Sequence, residues 1–103
     1  MTTIDLDAAN WKTPSDFYDA LCSALKAPEW HGRSVNAFID SIIWHDNING
    51  VLPPYSIRIR GIDSAPKAVR TEVEMLQQDL ILARAKHRDM HGRDVDVQLE
   101  TVT

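Results

Sequence analysis

The sequence predicts an α/β fold, a small three-stranded parallel sheet packed with helices around a single layer-type core. Three observations carry this. Apolar and polar residues alternate with period two in three separated segments, residues 2–8, 55–60 and 94–100. Helical patterns lie between them, and strands joined through helices pair in parallel. A chain of 103 residues, 44% hydrophobic and 25% charged, supplies one modest core rather than two, so residues 1–103 form a single domain.

In the first segment Ile4 and Leu6 alternate with Asp5 and Asp7. Thr13-Pro14-Ser15-Asp16 then opens a helix: Thr13 can cap, Pro14 suits the first helical position, and Asp16 suits the positive end of the dipole. Phe17, Leu21, Ala24 and Leu25 share one face of it, and Pro28 helps to stop it. After a short turn, Ser34 caps a second helix over residues 34–44, with Val35, Phe38 and Ile42 inward and Asn36 and Asp40 together on another face. Asn-Gly and Pro-Pro make residues 47–54 a loop. Tyr55-Ser56-Ile57-Arg58-Ile59-Arg60 is the clearest strand and Gly61 closes it. Asp63 or Ser64 caps a long helix with Pro66 in its first turn. Val69, Val73, Leu76, Leu80 and Ala83 form its stripe, and His91-Gly92 ends it. Val95, Val97 and Leu99 alternate with Asp94, Asp96, Gln98 and Glu100 in the last strand. The expected core is Phe17, Leu21, Phe38, Ile42, Ile57, Ile59, Leu76, Leu80 and Val97.

The formal charge is −4, and residues 1–50 hold the excess: Asp5, Asp7, Asp16, Asp19, Glu29, Asp40 and Asp46 against Lys12, Lys26 and Arg33. A nucleic-acid binder carries the opposite sign, so direct contact with nucleic acid is disfavoured. One cysteine, Cys22, cannot form an internal disulfide, which points to a reducing compartment. No basic n-region precedes an apolar run and no segment is long enough to span a bilayer, so a cytoplasmic protein is expected, with no membrane partner.

Chemistry-bearing motifs are sparse. His87 and His91 stand four apart near a helix end, but no zincin glutamate lies between them; they read as solvated residues completing a helix C-terminus. His45 and Asp46 are adjacent and so point apart, and Cys22 lies mid-helix without a basic neighbourhood. There is no phosphate-cradling glycine loop, no GxSxG and no CxxC. No catalytic, cofactor or metal residue is expected. A small hydrolase built on Asp40 and His31 is the weakest of the readings.

One stretch is denser. Ser15-Asp16, Leu21 and Leu25, then Pro28-Glu29-Trp30 and Gly32, then Ala37 and Asp40 on a helix, follow a spacing that resembles the barstar family of ribonuclease inhibitors. The match is close over residues 12–44 and topological beyond. The resemblance implies a barstar-like fold and a protein that plugs a cationic ribonuclease cleft with its turn and second helix. It implies no catalysis, cofactor or metal. By position Asp40 matches the family's central carboxylate, Trp30 its turn aromatic, and Gly32 the glycine that lets backbone approach the partner. Trp44 and His45 fall at the contacting helix end, and His31 lies within the turn. Three positions depart: Asn36 and Arg33 replace acids and Ile39 replaces a tryptophan. The implied partner is a basic ribonuclease or nuclease toxin, bound by Trp30, His31, Gly32, Arg33, Asn36, Ile39, Asp40, Trp44 and His45. The chain is expected to be a monomer when free. The alternative is a barstar-like module for another basic protein.

Overall fold

The three alternating segments meet in one sheet of order β1-β2-β3, with every pair parallel. The computed structural model describes residues 1–102. Along the chain run β1 (Thr2–Asp7), α1 (Pro14–Leu25), α2 (Val35–Ile39), a π-helical turn (Asp40–Trp44), β2 (Tyr55–Arg60), a 3-10 turn (Ile62–Ser64), α3 (Lys67–His91) and β3 (Val97–Val102). Among the described residues no helix is long and apolar enough to cross a membrane.

Register decides which face is buried. Ile4, Ile57 and Leu99 align across the sheet, with Leu6, Tyr55, Ile59 and Val97 on the same side, and all are buried beneath the helices. The opposite face carries Asp5, Arg58 and Glu100 in one row, and Arg58 Nε lies 3.2 Å from Glu100 Oε1. Parallel sheets are usually covered on both faces and read as unbroken apolar runs. This one is covered on one face, which is why its strands alternate so legibly.

The N-terminus of α1 is fixed by Asp16, whose carboxylate accepts the backbone N–H groups of Lys12 at 2.8 Å and Thr13 at 3.1 Å. These bonds favour the ionised form and hold the Asp16 carboxyl below its usual pKa. At the other end Lys26 takes the left-handed conformation, φ 54°, and the 45–54 loop docks on it: Gly50 N–H donates to the Lys26 carbonyl at 2.9 Å and Val51 N–H to that of Leu25 at 3.1 Å. A Cβ at Gly50 would stand 2.7 Å from Lys26 Cβ, so only glycine permits this approach. Tyr18, on α1, donates its hydroxyl to Glu72 of α3 at 3.0 Å; burial, then the Glu72 carboxylate, pushes the phenol's pKa up.

All nine expected core residues are buried. Three boundaries differ from the sequence reading. Neither Asp63 nor Ser64 caps α3: both lie in the 3-10 turn, and the helix starts after Pro66, whose carbonyl accepts from Val69 and Arg70. β3 begins at Val97, not before Val95, although Val95 is buried. Its start is set by pairing: Tyr55 N–H, the first of β2, finds the Asp96 carbonyl at 3.1 Å. The segment expected as one helix over 34–44 is α-helical only to Ile39 and then widens.

β3 is an edge strand, and α3 covers its outward carbonyls. Gln77 donates to the Leu99 carbonyl at 3.0 Å, and Arg84 reaches that of Val97 at 3.5 Å. Arg84 is itself held by Asp94, through Nε at 2.8 Å and Nη2 at 2.7 Å, and by Asp96 at 3.1 Å. That fork favours the Asp94 carboxylate and lowers its pKa.

Two expectations follow. Leu76 is fully buried, so Leu76→Ala costs about 2–5 kcal/mol in chemical denaturation through the cavity it leaves. Asp16 and Asp94 have folded-state pKa values below their unfolded ones, so the stability they contribute is complete above about pH 4 and is lost as pH falls through the folded values. Melting temperature followed from about pH 5 to pH 2 therefore declines less steeply in Asp16→Asn with Asp94→Asn than in the unaltered chain.

Candidate functional site

The turn before α2 sends its two ring side chains opposite ways. Trp30 points outward, 73% exposed, and His31 points inward, 3% exposed. His31 then organises what lies beneath. Its Nδ1, 2.6 Å from the Gly32 carbonyl, must carry the proton and donate, since a carbonyl only accepts. In the neutral ring this leaves Nε2 as an acceptor, 2.7 Å from Ser41 Oγ, so the Ser41 hydroxyl donates to it. Ser41 Oγ in turn accepts from Asn49 Nδ2 at 3.2 Å. The imidazole also packs on Phe38, with ring centroids 4.3 Å apart. One buried side chain thus ties the turn, the π turn and the 45–54 loop together.

A serine hydroxyl bonded to an imidazole is the beginning of a nucleophile–base pair. Here Ser41 is 2% exposed and the pair is closed to substrate. Asp40, the other half of the hydrolase reading, bonds a different histidine. The arrangement is a fastening.

α2 is capped by Ser34, whose Oγ accepts Ala37 N–H at 3.1 Å. Gly32 sits against the first turn, where a Cβ would come to 3.1 Å from Ala37 Cβ. Asp40 N–H still bonds the Asn36 carbonyl, so Asn36 and Asp40 share an exposed face as the spacing predicts. Beyond Asp40 the helix widens: His45 N–H bonds the Asp40 carbonyl at 2.7 Å, five residues back. Ser41, Ile42 and Ile43 all turn inward, and His45 swings back over Asp40, its Nδ1–H donating to Asp40 Oδ1 at 3.0 Å.

Arg33 is held within the chain. Its Nε donates to Asp19 Oδ1 at 2.7 Å and its Nη1 to the His31 carbonyl at 3.1 Å. Hydrogen bonding to Asp19 raises its pKa further. Ile39 and Trp44 are partly buried. Trp44 packs against His87 at 5.3 Å and His91 at 6.1 Å between centroids. His87 is not solvated as the sequence suggested: it is 3% exposed, and its Nδ1–H donates to the Arg93 carbonyl at 3.0 Å. Among the described residues no third ligand joins it and His91 in a metal cluster. Cys22 is buried, and burial pushes its thiol pKa up.

Trp30, Gly32, Arg33, Asn36, Asp40 and His45 therefore lie exposed on the turn and on the helical segment that follows, with Ile39 and Trp44 half covered. His31 is set apart beneath them. Local spacing does not separate the two, because Trp30 lies in a turn closed by His31 N–H on the Pro28 carbonyl rather than in extended chain. Residues from α3 were missed altogether: Asp79, Leu82 and Lys86 face Asn36, Ile39 and Trp44 across a groove of about 250 Å³. Only pairing of the two helices brings them there.

A family model described as Barstar (barnase inhibitor) matches residues 1–100 of the chain. No curated protein matches it. Replacing Ser41 by alanine leaves two buried groups, His31 Nε2 and Asn49 Nδ2, without their partner, so Ser41→Ala loses about 1–3 kcal/mol in thermal or chemical unfolding. Proteolysis of residues 28–33 in the native protein should quicken with it, because the turn loses its anchor.

Proposed function

The chain belongs to the barstar family, and from that premise we propose that it is an immunity or antitoxin-type inhibitor that binds a cationic ribonuclease or related nuclease toxin and blocks its active-site cleft. Membership makes it a barnase-inhibitor-like protein binder. The finer reading rests on the exposed face formed by Trp30, Gly32, Arg33, Asn36, Ile39, Asp40, Trp44 and His45, with His31 acting from beneath. A ribonuclease cleft must hold phosphates with cations. A carboxylate and an aromatic presented together fill such a cleft without offering a bond to cleave. The observation that carries the proposal is the pairing of a fully presented Trp30 with an exposed Asp40 on a turn and helix fastened from below by one buried histidine. Cytoplasmic action as a free monomer on a toxin of the producing cell fits a single buried thiol.

The family's contacting acids are partly replaced, and the structure adds to that departure. Arg33 is neutralised within the chain by Asp19, and Asn36 offers no charge. A target with fewer cations than barnase, or another basic protein altogether, is the second reading these two residues favour.

Asp40 lies near the centre of the exposed face, where binding energy concentrates. Asp40→Ala should cost at least about 2 kcal/mol of binding to a barnase-type ribonuclease, measured by calorimetry or inhibition, while the melting temperature barely moves. Equal losses of binding and stability would make Asp40 a structural residue and sink its assigned role.

A further inference from the structure

We propose that Asn49 is a deamidation site that the fold keeps closed, and that its conversion unfastens the turn of residues 28–33. The chain has four asparagines, Asn10, Asn36, Asn47 and Asn49, and only Asn49 is followed by glycine. Deamidation joins an asparagine's side-chain carbonyl carbon to the backbone nitrogen of the next residue. A side chain on that next residue hinders the approach, and Gly50 has none. The step is an intramolecular acyl transfer. Gly50 N attacks Asn49 Cγ, and the N–Cγ bond of a cyclic imide forms. The Cγ–Nδ2 bond breaks, and ammonia leaves with the proton that Gly50 N gives up. Water then opens the imide at either carbonyl, to aspartate or isoaspartate. The reaction needs no co-reactant beyond water.

The folded chain holds both reacting groups. Asn49 is 3% exposed, and its Nδ2 donates to Ser41 Oγ at 3.2 Å. Its Oδ1 has no partner among the described residues, so that one bond is the amide's latch. Gly50 N–H donates to the Lys26 carbonyl at 2.9 Å, and Gly50 docks where a Cβ would strike Lys26. The bareness that lets the loop dock is thus what makes it reactive once undocked. Attack requires the loop to leave both Lys26 and Ser41, which is a local opening of the structure. Conversion then closes the way back. Aspartate has no N–H for Ser41 Oγ; its carboxylate accepts instead, and competes with His31 Nε2 for the single Ser41 hydroxyl proton. It also places a charge where the buried amide stood. Isoaspartate lengthens the backbone within the docked loop. Either product loosens His31, and with it the turn.

Peptide mass spectrometry during incubation at mildly alkaline pH tests the site, and no readout uses a ribonuclease, so it stands apart from the inhibitor reading. In the urea-unfolded chain Asn49 should convert before Asn10, Asn36 and Asn47. In the native chain it should convert at least about a hundredfold more slowly, because the reaction waits on the opening. Ser41→Ala should quicken the native rate about tenfold, through loss of the hydrogen bond that latches the amide. Should that variant fail to fold, urea serves in its place: in the unaltered chain conversion should rise with urea below the unfolding midpoint. Asn49→Asp stands in for one product, and native-state proteolysis within residues 28–33 should quicken in it about tenfold. Should it not fold, the deamidated fraction of the unaltered chain, separated by ion exchange, takes the same assay. Equal rates in native and unfolded chain, earlier conversion of another asparagine on unfolding, or a native rate that neither Ser41→Ala nor urea moves overturns the gated site. Proteolysis of the turn that conversion leaves unchanged overturns its effect on residues 28–33.

Discussion

The presented face depends on one buried hydrogen bond, from the Ser41 hydroxyl to His31 Nε2. Residues 26–34 form no regular structure of their own and have little apolar side chain to bury. What gives them a fixed shape is an imidazole pushed through the surface and satisfied at both nitrogens, by Gly32 on the turn itself and by Ser41 on the π turn. A buried polar group left unpaired is costly, so the bond fixes the turn with a directional demand that an apolar anchor lacks. Asn49 completes the chain of donors and brings the 45–54 loop under the same constraint, although its own Oδ1 finds no partner among the described residues.

The acid excess of residues 1–50 is less one-sided in three dimensions than along the chain. Asp5 and Asp7 stand in register beside Arg58 and Arg60 on the open face of the sheet. Asp46 meets Arg93 at 3.1 Å and Asp19 meets Arg33. Parallel pairing sets Asp5 and Asp7 beside bases of the second half, and Asp46 also meets one, so part of the linear asymmetry is folded away. What remains for a partner is local: Glu29 and Asp40, both exposed, near an exposed indole. Such a face steers approach weakly and relies on contact for its selectivity.

The fold was legible because its signals were local. Period-two alternation marked all three strands, since only one sheet face is covered. Pro14, Ser34 and Gly92 marked helix ends through conformational preferences that need no tertiary partner. Two of the misreadings come from contacts that the local pattern does not contain. β3 starts where Tyr55 needs an acceptor, not where alternation begins. His87 is buried because Trp44 packs on it and the Arg93 carbonyl accepts its Nδ1–H, and helical spacing alone shows neither. The π turn keeps the same apolar residues as an α-helix and changes only their phase, so a stripe of Phe38 and Ile42 describes both. The candidate site was located by spacing and resemblance. Its internal wiring, His31 to Ser41, Arg33 to Asp19 and His45 to Asp40, joins residues five to fourteen apart and was invisible to either.

Gln77 and Arg84, laid over the outer carbonyls of β3, bear on how the molecule behaves in a crowd. A parallel sheet has two unlike edges, and copies that add edge to edge in a repeating head-to-tail manner use β1 of one and β3 of the next. Such growth has no natural end, and a filament results unless some edge is closed. Closing one of the two suffices, because every junction in the polymer needs both. By spending two side chains of a helix already required for the core, the chain terminates that polymerisation at its first step and leaves the presented face free for heterotypic contact.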